Sequence, residues 1–336
     1  MKPTSIIFLI VSVILACLGV LLCTTASNMA TEEGTGIFSQ TGDADNNFIA
    51  THEFDSSTLQ KIVITVSNVD VNIYGGAAKD MIELVNFTAG TYDYALSKST
   101  LQLSDNNGIT SIVDIDNFKI NFNGFRDYLH YYKYRGKPRT INLYVTDAAS
   151  VKIMNVTSES GNVTMNNLHL NRSLDDGKCY CDYKIIVGTG DVYISHLETE
   201  STVQIESTVD SRVDVLGMEC NELKLNAVNG YITLKNLTLT HALRIAVKSG
   251  TVDYDRTEPN FADYNVLLQV KSGTLRLNGS KISSGLYTEE NIRIVDPADT
   301  DDTDDTEDTE EGGEKTPVID PNTISIVVDE GSIEIY

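Results

Sequence analysis

The chain has 336 residues, about twice the length of a typical domain, and 41% of them are hydrophobic, which is enough to build a core. Its 48 acidic and 25 basic residues give a net charge of -23, which argues against a nucleic-acid binder because such proteins present a basic face to phosphates. Short alternating runs of Val, Ile, Thr, Tyr and Asn favour β structure, and Pro, which interrupts strands, is scarce at 6 residues.

The first predicted element is an apolar segment at residues 6–23. Lys2 precedes this segment, and the next Lys or Arg is Lys61. The positive-inside rule therefore places the N-terminus in the cytoplasm and the rest of the chain outside. Because the segment is close to the length that spans a bilayer, we expect an uncleaved anchor within residues 1–30 and a single-pass protein of the cell membrane.

Two other interpretations of the N-terminus stay open. A signal peptide could be cleaved near residues 25–27, and the protein would then be secreted. The tetrapeptide at residues 14–17 loosely resembles a lipobox, but the apolar run continues past Cys17, where a lipobox should end it. In each case residues 31–53 are expected to form a linker.

A glycine-centred repeat is the strongest signal in the sequence. Each copy has an x-Gly pair, apolar residues two and four positions after the Gly, and mostly apolar residues three, five and seven positions before it. Alternation with a period of two directs one set of side chains to the interior, and glycine permits the sharp turn between two strands. The six copies are centred on Gly161, Gly190, Gly230, Gly250, Gly273 and Gly331.

The spacing of the repeat predicts stacked coils. Gly230 and Gly250 are 20 residues apart, and degenerate copies lie at residues 210–211 and around Ser67. One such coil cannot bury its own apolar face, so neighbouring coils must stack. We therefore expect an all-β domain over residues 54–336, a β-solenoid with two strands in each coil of roughly 20 residues. An antiparallel β-sandwich of hairpins is the alternative, since periodicity alone does not separate the two.

The repeats resemble a known family. The segments Val-Ser-Asn-Val-Asp-Val-Asn-Ile at 66–73, Ser-Gly-Asn-Val at 160–163 and Thr-Gly-Asp-Val at 189–192 are similar to those of bacterial putative-adhesin domains of unknown function. The resemblance implies an extracytoplasmic β-solenoid behind a short N-terminal anchor, and it supplies no catalytic residues. The chain departs from the family pattern at residues 179–181 and 296–314.

An acidic run interrupts the last part of the repeat domain. Residues 296–314 contain 11 Asp or Glu residues and no Lys or Arg. Such a run repels itself and has little to bury, so we expect a disordered loop over residues 296–316. Its carboxylates suit calcium, but the Asp-x-Asp-x-Asp-Gly pattern of a formed calcium loop is missing. The sequence therefore predicts no metal site.

A tyrosine-rich segment carries the basic patch of this acidic chain. Aromatic rings with neighbouring cations can stack on sugars or contact an anionic polymer. The alternative is an edge strand and loop in which the tyrosines make ordinary packing contacts. The candidate binding surface consists of Tyr128, Tyr131, Tyr132, Lys133, Tyr134 and Arg135.

No catalytic constellation is recognisable. The five His residues include no His-Glu-x-x-His pair, and Cys220 either pairs with Cys179 or Cys181 or keeps a free thiol. We therefore predict a non-enzymatic protein without a cofactor, whose role is adhesion or interaction with an envelope protein or polysaccharide. The alternatives are a polysaccharide-acting β-helix enzyme and a purely structural envelope scaffold.

Overall fold

The computed structural model describes residues 49–87, 91–105, 113–114, 119–120, 137–170, 182–255, 261, 264–289 and 322–336. Over these residues the chain is all-β, with one short 3-10 helix, η1, at Ser56–Thr58. The strands are β1 (Ile49–Glu53), β2 (Lys61–Val66), β3 (Asp70–Gly75), β4 (Met81–Val85), β5 (Tyr92–Leu96), β6 (Thr100–Asp105), β7 (Val113–Asp114), β8 (Lys119–Ile120), β9 (Thr140–Val145), β10 (Ile153–Ser160), β11 (Val163–His169), β12 (Asp182–Thr189), β13 (Val192–Glu198), β14 (Thr202–Asp255), β15 (Asn265–Leu277), β16 (Ser280–Ile282), β17 (Leu286–Glu289) and β18 (Thr323–Ile335).

The chain divides into two compact units. The smaller comprises Met1–His52, Glu83–Tyr92 and Asn106–Arg139, and the larger comprises Glu53–Ile82, Asp93–Asp105 and Thr140–Tyr336. In the smaller unit Phe87 is fully buried, and the ring of Tyr92 meets it edge-on at a centroid distance of 5.9 Å. The guanidinium of Arg139 lies 5.4 Å from the Phe87 ring centroid, within the range of a cation–π contact.

The larger unit contains a large, mainly parallel sheet. Each coil of the repeat contributes a first strand, a corner and a second strand, and each strand pairs with the equivalent strand of the neighbouring coil. The first-strand stack runs β6, β2, β10, β12 and residues 203–207 of β14, and the second-strand stack runs β9, β3, β11, β13 and residues 213–219 of β14. These pairs are all parallel and in register, which is consistent with a β-solenoid. Antiparallel hairpins would instead pair the two strands that flank one corner.

The alternating apolar side chains form the core between the two stacks. Val192, Ile232, Val252 and Leu275, each two residues after a corner, are all fully buried. Burial of a side chain of this size stabilises the fold by roughly 1.5–3 kcal/mol. The inward direction predicted from the repeat is therefore confirmed.

At Gly250 and Gly331, glycine is required at the first corner for two reasons. These residues have φ values of 148° and 135°, which side chains with a Cβ atom rarely adopt. In addition, a Cβ atom at Gly331 would collide with the carbonyl oxygen of Gly250, and one at Gly250 would collide with that of Gly230. These corners therefore approach one another more closely than any other residue type allows.

A second corner lies six residues after the first and was not predicted. Asn167, His196 and Asn236 all have left-handed backbones, with φ between 52° and 55°, and Gly217 occupies the same place with a φ of 67°. Asn and Gly tolerate this conformation better than other residues, and His is also enriched there. The recurrence of such residues at this offset is the sequence signal that marks the second corner.

The order of the coils in the sheet differs from their order in the chain at both ends. β18 pairs in parallel with residues 242–254 of β14 on one side and with β15 on the other, over 12 residue pairs each. The last strand therefore lies between two coils that precede it in sequence. At the other end, β2 and β3 have β6 and β9 on one side and β10 and β11 on the opposite side. The coil that comes next in the chain therefore lies on the other side of β2 and β3 from the coil that follows it.

Several predicted segments lie outside the described residues. They are the N-terminal segment at 6–23, the tyrosine-rich segment at 128–135, the cysteines at 179 and 181, and the acidic loop at 296–316. The anchor, the disordered loop and the domain bounds therefore stay predictions. In the part of the chain that is described, no helix has the length and apolarity needed to cross a membrane.

Candidate binding surface

Between the first and second corners, eight outward side chains on β9, β3, β11 and β13 form an uncharged surface, which we call the Asn–Tyr face. Each strand contributes the two side chains that lie three and five residues after its first corner, where they alternate with buried ones. The face contains no Asp, Glu, Lys, Arg or His. Its eight members are Asn142, Tyr144, Asn72, Tyr74, Thr164, Asn166, Tyr193 and Ser195.

Contacts between neighbouring strands fix the geometry of the Asn–Tyr face. Asn72 and Asn142 are register partners, and the Asn72 Nδ2 donates to Asn142 Oδ1 at 2.9 Å. Tyr74 and Tyr144 are also partners, and their rings stack at a centroid distance of 5.3 Å and an interplanar angle of 19°. Asn166 follows Tyr74 in the next strand and is exposed. Aromatic and amide side chains are thus arranged in rows across the strands.

A ladder of side-chain acceptors borders the Asn–Tyr face at the first corner. The Asp70 Oδ1 accepts a hydrogen bond from the Asn162 backbone N–H at 2.8 Å, and the Asn162 Oδ1 accepts one from the Asp191 N–H at 2.9 Å. The Asp191 Oδ1 then accepts one from the Arg212 N–H at 2.9 Å. The ladder ends there because an arginine side chain has no acceptor.

Beyond β13, the outward side chains of the second-strand stack include charged residues. In residues 212–255, β15 and residues 323–336, the outward side chains include Asp214, Lys235, Asp253, Glu334 and Arg276, and we call this region the charged half. Arg212 Nε lies 2.8 Å from Asp214 Oδ2, and Arg276 Nε lies 4.0 Å from Glu334 Oε1. The second-strand stack is therefore divided into a neutral part and an ionic part.

Two tyrosines of the charged half donate hydrogen bonds to carboxylates. The Tyr336 hydroxyl donates to Glu334 Oε2 at 2.7 Å, and the Tyr231 hydroxyl donates to Asp253 Oδ2. Because each carboxylate stabilises the protonated phenol, it raises the pKa of its tyrosine, that of Tyr336 to about 12. Both tyrosines are therefore neutral hydrogen-bond donors at physiological pH.

A buried carboxylate lies in the first-strand stack. Glu222 is 7% exposed, and its Oε1 lies 2.8 Å from Arg244 Nε while its Oε2 lies 2.9 Å from Lys224 Nζ. Thr202 Oγ1 donates to the same Oε2 at 3.3 Å. Two cations on the same surface thus balance one partly desolvated anion, and removal of either cation would leave that buried charge less compensated.

The chain matches one family model. A model described as Toastrack DUF4097 matches residues 59–305, which is most of the chain and includes both strand stacks. The chain belongs to the Toastrack DUF4097 family. The resemblance predicted from the repeats, to an adhesin-type family of unknown function, is thereby confirmed.

Solved structures similar to this Toastrack chain are distant in sequence. One is a "putative cell adhesion protein" from Clostridium sporogenes ATCC 15579, with 12% identity, coverage of 85% of this chain and 97% of that one, and a TM-score of 0.29. Another is a "putative adhesin" from Bacteroides fragilis NCTC 9343, with 14% identity, coverage of 86% and 97%, and a TM-score of 0.37. A comparison with curated proteins gave no significant match.

The binding surface predicted from sequence lies outside the described part of this Toastrack chain. Tyr128, Tyr131, Tyr132, Lys133, Tyr134 and Arg135 all fall within residues 121–136. That prediction is neither confirmed nor contradicted. The Asn–Tyr face was missed because Asn72 and Tyr74 lie 70 residues from their partners in β9, so no local motif joins them.

Cys220 is the one predicted cysteine that the described residues include. Its thiol is buried and free, and no described residue forms a disulfide with it. Burial raises the pKa of Cys220 strongly, and Glu222 and Glu219 raise it further. This thiol is therefore shielded from solvent and held in its protonated form. Within the described ranges, no group of three or more His, Cys, Asp or Glu residues could hold a metal ion.

Proposed function

We propose that this Toastrack chain is a membrane-anchored, extracytoplasmic β-solenoid with a non-catalytic binding role. Residues 6–23 act as the anchor, and the repeat domain extends from the outer surface of the cell membrane. The role is adhesion to, or interaction with, an envelope protein or polysaccharide. A nucleic acid is not the partner, because the net charge of -23 would repel phosphates.

The in-register pairing of the second-strand stack is the observation that carries the binding role. Asn142, Asn72, Thr164 and Tyr193 follow one another in successive strands. Strands are spaced about 4.8 Å apart, so the outward side chains form rows with a fixed repeat along the stack. Such a surface suits an extended partner, and repeat proteins use their stacked faces in this way.

The topology is supported by the charge asymmetry of the N-terminus. Lys2 lies before the apolar segment, whereas Glu32 and Glu33 are the first charged residues after it. Basic residues near a membrane segment stay on the cytoplasmic side. A protease added to intact cells should therefore digest the repeat domain of the full chain. Digestion only after lysis would reverse the orientation.

The binding role is tested with the full chain solubilised from membranes in mild detergent. We expect it to be retained on purified cell-wall material or to capture a defined envelope protein. Retention by neither would contradict the binding role. Release of new reducing ends from a polysaccharide by the same preparation would instead favour an enzyme. Loss of envelope integrity without either activity in a deletion strain would favour a scaffold.

A further inference from the structure

The contrast in charge within the second-strand stack indicates what kind of ligand the Asn–Tyr face accepts. The chain has a net charge of -23, and yet eight neighbouring outward positions lack any Asp, Glu, Lys, Arg or His. The next outward residue in the stack after Tyr193 is Asp214. A charged ligand would find no opposite charge on this face to compensate for the hydration that it loses, so a face without ionic groups is better matched to a neutral ligand.

The side chains of the Asn–Tyr face match the chemistry of sugar rings. The parallel rings of Tyr74 and Tyr144 form an apolar ridge, on which the C–H face of a pyranose can pack. Asn166 is exposed beside this ridge, and Thr164 lies in the same strand. An amide and a hydroxyl both donate and accept hydrogen bonds, as sugar hydroxyls do.

The geometry of the Asn–Tyr face suits a polymer better than a single small molecule. Its rows cross four strands at a repeat of about 4.8 Å, which is comparable with the length of one unit in a linear sugar chain. The face is an open sheet surface, and small molecules prefer enclosed pockets. A linear chain could contact several rows at once, and the contributions of successive units would add.

The ladder of side-chain acceptors at the first corner narrows the choice of ligand further, because two of its members are carboxylates. Asp70 and Asp191 border the Asn–Tyr face, so an anionic polymer lying on the face would be repelled. A cationic polymer would be attracted to the carboxylates of the charged half, such as Asp253 and Glu334, as well as to these two, so the Asn–Tyr face would not select it. We propose that the Asn–Tyr face binds a neutral polysaccharide, an inference that rests on the proposed binding function.

The test measures the affinity of the full chain, in nanodiscs, for soluble hexamers of β-linked glucose and of β-linked N-acetylglucosamine. The Y74A/Y144A double variant removes the apolar ridge, and we expect it to weaken binding at least tenfold. Y74F/Y144F keeps the rings and should stay within about threefold of the unmodified protein. Y231A removes a tyrosine of the charged half that is 46% exposed, and it should leave the affinity unchanged. Far-ultraviolet circular dichroism and the melting temperature verify that each variant is folded.

Several outcomes would overturn the inference. The first two are binding by Y74A/Y144A that equals binding by the unmodified protein, and a loss of affinity in Y231A as large as that in Y74A/Y144A. The others are absence of binding to either hexamer, and tighter binding of a polyanion such as polygalacturonate than of the hexamers. The broader function is assayed separately by retention of the same proteins on cell-wall material. If Y74A/Y144A is retained as well as the unmodified chain, the Asn–Tyr face is not the site although the binding function stands. If the unmodified chain is not retained either, both proposals fail.

Discussion

The coils near β11 and the coils near β18 share a glycine corner but differ in what the next residue adds to it. In both regions the backbones of successive corners leave no room for a side chain, since a Cβ atom at Gly190 would collide with a carbonyl oxygen just as one at Gly331 would. In the first region, the side-chain oxygens of Asp70, Asn162 and Asp191 also accept hydrogen bonds from the backbone of the next coil. In the second, the residues after the glycines include Thr251 and Ser332, whose hydroxyl groups bond to each other. The acceptor positions therefore tolerate exchange of Asp and Asn, whereas the glycine positions tolerate no Cβ atom.

The largest difference between the two regions should follow deletion of residues 323–336. β18 supplies Ile324, Ile326, Val328, Ile333 and Ile335 to the core and pairs with a strand on each side. We expect the amides of residues 242–254 and 265–277 to lose their protection from hydrogen exchange by at least a hundredfold, while those of residues 153–169 remain protected. Unchanged protection of residues 265–277 would show that β15 does not depend on β18.

Substitution of a corner glycine should have the next largest effect. G331A places a Cβ atom against the Gly250 carbonyl oxygen at a φ of 135°, and we expect it to lower the free energy of unfolding by about 3 kcal/mol or more. Gly279 is the matched control, since it has a φ of 74° but no atom within 4 Å of the place that a Cβ atom would take. G279A should cost about 1–2 kcal/mol from backbone strain alone. Urea unfolding measures both, and equal losses would argue against the collision.

A substitution in the acceptor ladder should lower the free energy of unfolding less than a substitution of a corner glycine does. D191A removes the acceptors of the Arg212 N–H and the Tyr193 hydroxyl, and because these bonds are solvent-accessible we expect a loss of about 1 kcal/mol in the free energy of unfolding. D191N keeps the Oδ1 acceptor and should stay within about 0.5 kcal/mol of the unmodified protein. A loss in D191N as large as that in D191A would mean that charge, rather than an acceptor atom, holds the corner.

The smallest expected effect is on the pH dependence of stability, and it involves Asp80, which lies between β3 and β4 in the first region. Burial raises the pKa of Asp80, but hydrogen bonds from the Thr146 and Ser56 N–H groups outweigh it, so the pKa in the folded state is lowered. A group with a lowered folded pKa stabilises the fold above its unfolded pKa, about 3.9, and this contribution is lost as the pH falls through the folded pKa.

D80N should therefore flatten the dependence of unfolding free energy on pH below about 4. Unfolding in urea at a series of pH values between 7 and 2 measures the slope. The variant D253N, in the charged half, provides the comparison from the second region. An acid slope that is the same in D80N as in the unmodified chain would show that the hydrogen bonds to Asp80 do not lower its pKa.

Local alternation in the sequence was sufficient to predict the coil, its inward side chains and the degenerate copy at residues 210–211. Val213 and Val215, which follow that copy, are both buried as expected. The order of the coils at the two ends could not be predicted from the sequence. Every coil carries the same pattern, and this pattern does not determine which coil lies beside which. For the same reason the ring stack of Tyr74 on Tyr144 could not be foreseen. It depends on β3 lying beside β9, and this pairing skips over 64 residues of intervening chain.

The position of β18 has a consequence for the order of assembly during synthesis. The ribosome completes residues 265–277 well before residues 323–336, and yet the former gain their parallel neighbour only from the latter. Until residues 323–336 are made, residues 265–277 lack this parallel partner, and an unpaired strand edge can pair with other chains. This part of the sheet therefore cannot assemble in the order of the chain, because β18 has to pair between two strands that are synthesised before it.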